Sequence, residues 1–440
     1  MKKTDTSTVK KRLSLPPALL FLLPALPLCA CAAVFFHRAV WFGAALLLLA
    51  GADLISGILR RESVPRLLPC CGSIAAGVCA LFLRAYFPML LLFSLAFVFS
   101  AVRLLLAVGQ TQKRRRCRLA AAGLFVFVFA LPLLLGWDPD PLFRFVMQKG
   151  VMEHVPAPAD TMREDGVRAI VDLEYPSAYP NNTMSVFLAP ENRGTVFYVH
   201  GGGFVLGDKN TALNSYFGSW LRAGYNVAAF DYALAPQFRV EKQLVQCGEA
   251  LRFFMERAAD WGVDKNRVVL VGESAGGCLS GLLAAAGVSP ETAKDLGVPT
   301  AEEYGAPVRG WISIGGLVDV PHFGDTNDDL VSWAFNLMGV CGFHDPAYAS
   351  SETARRFSVL SQATAAFPPS YISDGNRGTF TNQGEALAQK LRSLGVRVET
   401  NFVPPEAGER PHVYEMSPHA DPLAADNFEK TLAFVQEIMP

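Results

Sequence analysis

Ser274 stands in Gly272-Glu273-Ser274-Ala275-Gly276, directly after the unbroken apolar run Val268-Val269-Leu270-Val271. A G-x-S-x-G pentapeptide between a buried strand and a helix lifts a serine hydroxyl off a sheet on a sharp turn. Its flanking glycines are needed because side chains there would meet neighbouring backbone. The helix that follows presents its N-terminus, which favours negative charge developing beside it. Such a serine is a candidate nucleophile for acyl transfer. Alone the pentapeptide is a weak signal. About 70 residues upstream, however, a second apolar run ends in His200-Gly201-Gly202-Gly203. Successive glycines let backbone approach a substrate closely and aim N–H groups at one point. The N–H groups of Gly202, Gly203 and Ala275 are therefore a candidate oxyanion hole.

Three motifs occur in order: His200-Gly201-Gly202-Gly203-Phe204-Val205-Leu206-Gly207, Asp231-Tyr232-Ala233-Leu234-Ala235-Pro236 and Gly272-Glu273-Ser274-Ala275-Gly276-Gly277. Together they resemble the α/β-hydrolase fold, and within it the hormone-sensitive-lipase-like carboxylesterases. The resemblance covers about residues 165–440. It implies a serine carboxylic-ester hydrolase with a triad in the chain order Ser, Asp, His and with no cofactor. The Asp231-Tyr232 motif is usually structural in that family, so Asp231 is not taken as catalytic. Of seven histidines, only His412 and His419 follow the last predicted strand. Pro411-His412-Val413-Tyr414 resembles the family's loop, where a histidine precedes a small residue and an aromatic. His412 is the preferred base. His419, in the helix-entry turn Ser417-Pro418-His419-Ala420-Asp421-Pro422, is the alternative.

The acid is harder to place. The resemblance expects a glycine followed three residues later by aspartate, and Tyr371-Ile372-Ser373-Asp374-Gly375-Asn376-Arg377-Gly378 puts Gly378 at that position. Asp374 is the nearest carboxylate and is preferred, with Asp319 as the rival. The expected catalytic set is thus Ser274, Asp374 and His412, acting on an ester-type small molecule or lipid through an acyl-enzyme. An acyltransferase or peptidase on the same triad, and a membrane-bound domain that only binds ligands, are the alternatives.

Chemistry of this kind needs a sheet to carry it. Short β-branched runs predict strands over 168–174, 183–188, 195–200, 226–231, 267–272, 309–314, 369–373 and 397–403. Helical patterns predict helices over 211–223, 238–259, 275–286, 380–394 and 423–438. Their alternation implies an α/β fold with a mostly parallel sheet covered by helices on both faces. The insertion 317–366, with Trp333, Phe335, Leu337, Met338 and Phe343, is one candidate cap over the serine. The segment 142–153, with Phe143, Phe145, Val146 and Met147, is the other. Either is equally readable as a helix packing its apolar face on the domain.

The chain around this region is of a different kind. Of 440 residues 51% are hydrophobic and 18% charged, below the roughly 25% charge of a soluble domain. Residues 1–137 hold 16 Lys and Arg against 3 Asp and Glu, whereas 138–440 hold 23 against 37. The acidic part would repel phosphate, which excludes nucleic-acid binding through it. Apolar runs at about 15–36, 39–59, 67–83, 85–109 and 119–136 predict five membrane spans, or four if the 17-residue third run does not cross. Basic breaks at the N-terminus, at Arg60-Arg61-Arg66 and at Lys113–Arg118 alternate with breaks carrying only Arg38 and Arg84. That alternation places the N-terminus in the cytoplasm and residue 138 onward outside the cytoplasmic membrane. Cleavage near Cys29-Ala30-Cys31, as after a signal peptide, is the competing reading of the first run. The expected organisation is a transmembrane region at 1–137, a linker or cap segment at 138–164 and a hydrolase domain at 165–440. Only Cys247, Cys278 and Cys341 lie in the acidic part, with no spacing suited to a metal or to a disulfide framework.

Overall fold

The structure is a computed structural model that describes residues 157–213 and 215–440, all within the compact unit Asp140–Pro440. The expected membrane spans, the possible cleavage site and the cap segment 142–153 lie outside the described residues. Among the described residues no helix is long and apolar enough to cross a membrane.

Among the described residues nine strands form one sheet: β1 (Ala159–Met162), β2 (Arg168–Glu174), β3 (Thr183–Leu188), β4 (Thr195–Val199), β5 (Asn226–Phe230), β6 (Val268–Glu273), β7 (Gly310–Ile314), β8 (Ser370–Asp374) and β9 (Val398–Phe402). Their order is β1-β2-β3-β5-β4-β6-β7-β8-β9. The β1, β2 and β3 pairings are antiparallel, and every pairing from β5 through β4 to β9 is parallel. The central strands are buried along their whole length, as strands covered on both faces must be. Side chains alternate between the two layers. Phe197, Val199 and Leu270 enter one core, and Val196, Tyr198, Val269 and Val271 enter the other. Helices α1 (Tyr216–Arg222) and α6 (Pro422–Ile438) cover the second core. Helices α2 (Val240–Arg257), α3 (Ala275–Val288) and α5 (Thr381–Ser393) cover the first, while α4 (Asp329–Phe343) crosses the insertion. Each such buried Leu, Val or Phe contributes roughly 1.5–3 kcal/mol.

Two differences from the sequence reading have local causes. Strand β1, not expected, is exposed at all four residues and so has no apolar alternation to betray it. Its ladder with β2 and the Arg168–Asp160 ion pair hold it at the sheet edge. Helix 211–223 begins instead at Tyr216, because Asp208 and Thr211 divert the backbone into a turn. Asp208 Oδ1 accepts from Asn210 N–H at 2.7 Å, and Thr211 Oγ1 donates to Asp208 O at 2.9 Å.

The chain crosses from β4 to β5 on one side and returns to β6 on the other. Reversal of direction about β4 opens a crevice at the carboxyl ends of β4 and β6, the place where such sheets bind ligands.

Candidate active site

Ser274 follows β6 with φ 50° and ψ −120°, a conformation an L-residue holds only when its surroundings impose it. Here they do. Ser274 N–H donates to Ile314 O at 2.9 Å, and Ser274 O accepts from Leu317 N–H at 2.9 Å, so the turn is pinned to β7 and the loop after it. A Cβ on Gly276 would lie 2.1 Å from Val199 O and 2.5 Å from His200 O, so only glycine lets the elbow press against the end of β4. The loop that follows β4 is curled by Val205 and Leu206 N–H, both donating to Gly202 O, with Gly202 and Gly203 at φ 100° and 59°. Ala275 opens α3, where the first N–H groups have no intrahelical acceptor.

His412 is set by backbone rather than by a regular element. Asn376 and Arg377 N–H both donate to Arg410 O, and His412 N–H donates to Arg377 O at 3.1 Å. This lays the histidine loop along the loop after β8. Gly375 makes the approach possible, since a Cβ there would lie 2.5 Å from the carbonyl oxygens of Arg410 and Pro411. In the result, His412 Nε2 and Ser274 Oγ are 2.9 Å apart. Asp374, the last residue of β8, is buried, and its Oδ1 lies 3.7 Å from His412 Nδ1. Both carboxylate oxygens also accept backbone N–H groups, Oδ1 from Gly375 at 2.8 Å and Oδ2 from Phe380 at 2.7 Å.

The competing residues lie elsewhere. Asp319 pairs with the exposed His322 at 2.7 Å, and His419 Nε2 lies 2.6 Å from Arg222 Nη2. Gly378, the position the family pattern reserves for the acid, faces Val331. Asp231 has no contact with His412. Its carboxylate accepts from Lys209 N–H and Nζ and from Thr183 Oγ1, all within 2.8 Å. Lys209 Nζ, fully buried, also meets Asp172 Oδ1 at 2.8 Å, and Asp172 Oδ2 accepts from Ala157 N–H at 2.9 Å. Burial alone would lower the Lys209 pKa, but the Asp231 and Asp172 carboxylates outweigh it and raise it. His200 is buried too. Its ring stacks on Tyr232 at 4.1 Å, and burial lowers its pKa, which favours the neutral ring.

Other residues border the site, and of these Glu273 and Phe380 had no assigned role in the sequence. Glu273 Oε1 accepts from Gly201 N–H at 3.0 Å and so ties the elbow to the glycine loop. Phe335 and Phe380 present ring contacts to His412 at 5.3 and 5.0 Å between centroids. Met338 packs directly over Gly203. Of the aromatic and aliphatic residues noted in the insertion, Phe335 and Met338 therefore border the site. Leu337 and Phe343 are buried, and Phe343 stacks on Tyr348. Cys247, Cys278 and Cys341 are buried.

Residues 196–414 match a family model described as the alpha/beta hydrolase fold. By sheet order, elbow and family match, the described region has the α/β-hydrolase fold. Its relatives include Lipase 2 of Moraxella sp. (strain TA144), 25% identical over 51% of this chain and 56% of the lipase. Carboxylesterase NlhH of Mycobacterium tuberculosis is 25% identical over 49% of this chain and 65% of that protein. Esterase LipI of the same species is 33% identical over 47% and 62%. Each match thus spans less than two thirds of the curated relative. Among solved structures, esterase B from Lactobacillus rhamnosis superposes with a TM-score of 0.55 at 21% identity, over 70% of this chain and 95% of the esterase. That likeness is one of fold.

Proposed function

We propose that this chain is a membrane-anchored serine carboxylic-ester hydrolase whose catalytic region lies outside the cytoplasmic membrane. The observation that carries the reading is the 2.9 Å contact of His412 Nε2 with Ser274 Oγ on a strained elbow. Ser274 Oγ attacks the ester carbonyl carbon while His412 Nε2 takes its proton. The carbonyl oxygen becomes an oxyanion, held by the N–H groups of Gly202, Gly203 and Ala275. Each such donor is worth about 10²–10³ in rate. The C–O bond to the alcohol breaks, and the leaving oxygen takes the proton from His412. Water then enters, gives a proton to His412 and attacks the acyl carbon; the Oγ–C bond breaks, the acid leaves, and His412 returns the proton to Ser274 Oγ. Throughout, the Asp374 carboxylate faces Nδ1, favouring the tautomer that leaves Nε2 free and stabilising the imidazolium. Being named lipase, carboxylesterase and esterase, the relatives support ester substrates for this chain. The apolar runs and alternating charge of residues 1–137 support the membrane anchor.

The test is Ser274→Ala in the full-length chain. Wild type should hydrolyse short aryl esters and take up a fluorophosphonate probe, and the folded variant should do neither. Labelling of the variant at the wild-type rate would remove Ser274 from the role. Transfer of most acyl groups to an added alcohol, with little free acid formed, would make the chain an acyltransferase.

A further inference from the structure

Three residues beyond His412 lies a carboxyl group that the mechanism above does not use. Glu415 sits on the single 3-10 turn Tyr414–Met416 and is fully buried. Neither of its oxygens has a hydrogen-bond partner of ordinary geometry among the described residues. The Ser373 hydroxyl next to it is buried and unpartnered as well. Its strongest charged neighbours are carboxylates: Asp374 at the end of β8 and Glu273 at the end of β6. The other titratable groups facing it are Tyr216 on α1, Tyr371 on β8 and Tyr414 on its own turn. Arg410, the cation of the histidine loop, is committed to Asp421.

An ionised carboxylate in such a place would be desolvated and beside a second buried negative charge, which the neighbouring Ser373 hydroxyl offsets only in part. Each condition is costly, and a group so placed keeps its proton instead. The protonated acid is a different object. Its O–H is a donor, and the orphaned Ser373 oxygen is an acceptor within the same buried space, so one proton serves both. The turn that would be secured is under strain. Val413, between His412 and the turn, is β-branched yet has φ 56°, in the left-handed region that such residues avoid.

We propose that Glu415 is a positioning residue that works as a neutral acid, holding the 412–416 turn against Ser373 so that the His412 ring stays between Ser274 and Asp374. Ionisation of Glu415 at alkaline pH withdraws that support. The inference rests on the proposed triad. Burial, reinforced by Asp374, pushes the Glu415 carboxyl up from the ordinary glutamate range to about 8, which puts the release within a working pH range. The sign follows from linkage. The unfolded chain ionises this group near the ordinary glutamate pKa and the folded chain does so only at higher pH. Stability from this group is therefore undiminished below the unfolded value and falls as pH rises between the two.

Glu415→Gln keeps the shape and a donor but removes the ionisation. In the full-length chain, wild-type kcat/KM on an aryl ester should decline through an alkaline limb near pH 8, whereas E415Q should match wild type at pH 6.5 and keep its activity at least one pH unit further. Thermal melting supplies a readout that does not need turnover. E415Q should melt close to wild type at low pH, near the unfolded glutamate pKa, and above it at pH 9. Superimposed alkaline limbs, or melting curves whose difference does not change with pH, would overturn the proposal. So would loss of activity by folded E415Q at pH 6.5. An inactive wild type that nonetheless gives the pH-dependent melting difference would instead count against the triad.

Discussion

Replacing Asp374 with asparagine isolates the electrostatic part of the proposed mechanism. The carboxylate oxygen stands 3.7 Å from His412 Nδ1. Opposite unit charges at that distance attract by about 4 kcal/mol at an effective dielectric constant near 20. The attraction exists only while His412 holds the Ser274 proton, so it is spent on the transition state. Its loss corresponds to about three orders of magnitude in kcat. Loss of the tautomer preference adds to this, and the equivalent change in a serine protease costs about 10⁴. A structural charge is also incurred. The Asp374 oxygens both accept N–H groups, from Gly375 and Phe380, and the asparagine amide turns one of those contacts into donor against donor. That costs about 1–3 kcal/mol, so Asp374→Asn should fold with a lowered melting temperature. Steady-state hydrolysis of an aryl ester by the full-length variant gives kcat, and circular dichroism establishes that the variant is folded. Fluorophosphonate labelling of Ser274 should persist, slowly. A folded variant within tenfold of wild-type kcat would refute the argument and leave His412 without its proposed acid.

Other outcomes follow from the same contacts. Asp319→Asn and His419→Ala alter residues engaged with His322 and Arg222, and kcat/KM should stay within about twofold of wild type. A large loss in either would reopen the choice of acid or base. Lys209→Met strips the cation from between Asp172 and Asp231 and leaves two carboxylates buried. Stability should fall by about 3–5 kcal/mol, read as a drop in melting temperature of roughly 10 °C, and an unchanged melting temperature would mean the cluster is dispensable. For the membrane proposal, a reporter that works only outside the cytoplasm should be active when fused after Trp137 and silent near Gln112. The opposite pattern would reverse the orientation.

Strands β2 and β3 begin and end where the residue pattern put them, and β4 to β9 differ from it by no more than one residue at either end. Their β-branched, uniformly apolar sequences leave little choice. The polar edge strand β1 carries no such pattern, because its stability comes from pairing rather than burial. At the site, the glycine motifs marked Ser274 and its loop from local sequence. Asp374 and His412 were nameable only through a family resemblance, since the backbone bridge between residues 375–377 and 410–412 joins segments distant in the chain. The companions of the site were legible only as a candidate cap that included Phe335 and Met338, and not residue by residue. Whether Phe335 packs on the core or on His412, and whether Glu415 is solvated or enclosed, depends on tertiary neighbours that periodicity does not encode.

The Lys209 cluster bears on how this protein can be re-engineered. One carboxylate, Asp172, grips both the lysine that ends the glycine loop and the backbone at Ala157. Residues 157–172, 200–209 and 231 thus form a single splice unit scattered over three stretches of sequence. A chimera that keeps Asp172, Lys209 and Asp231 together leaves this unit whole. One that borrows a foreign glycine loop without a lysine at 209 buries two carboxylates without their shared cation, and one with a foreign β2 lacking an aspartate at 172 leaves Lys209 only Asp231 as its counter-charge. Swap boundaries should accordingly follow that circuit rather than the ends of the strands.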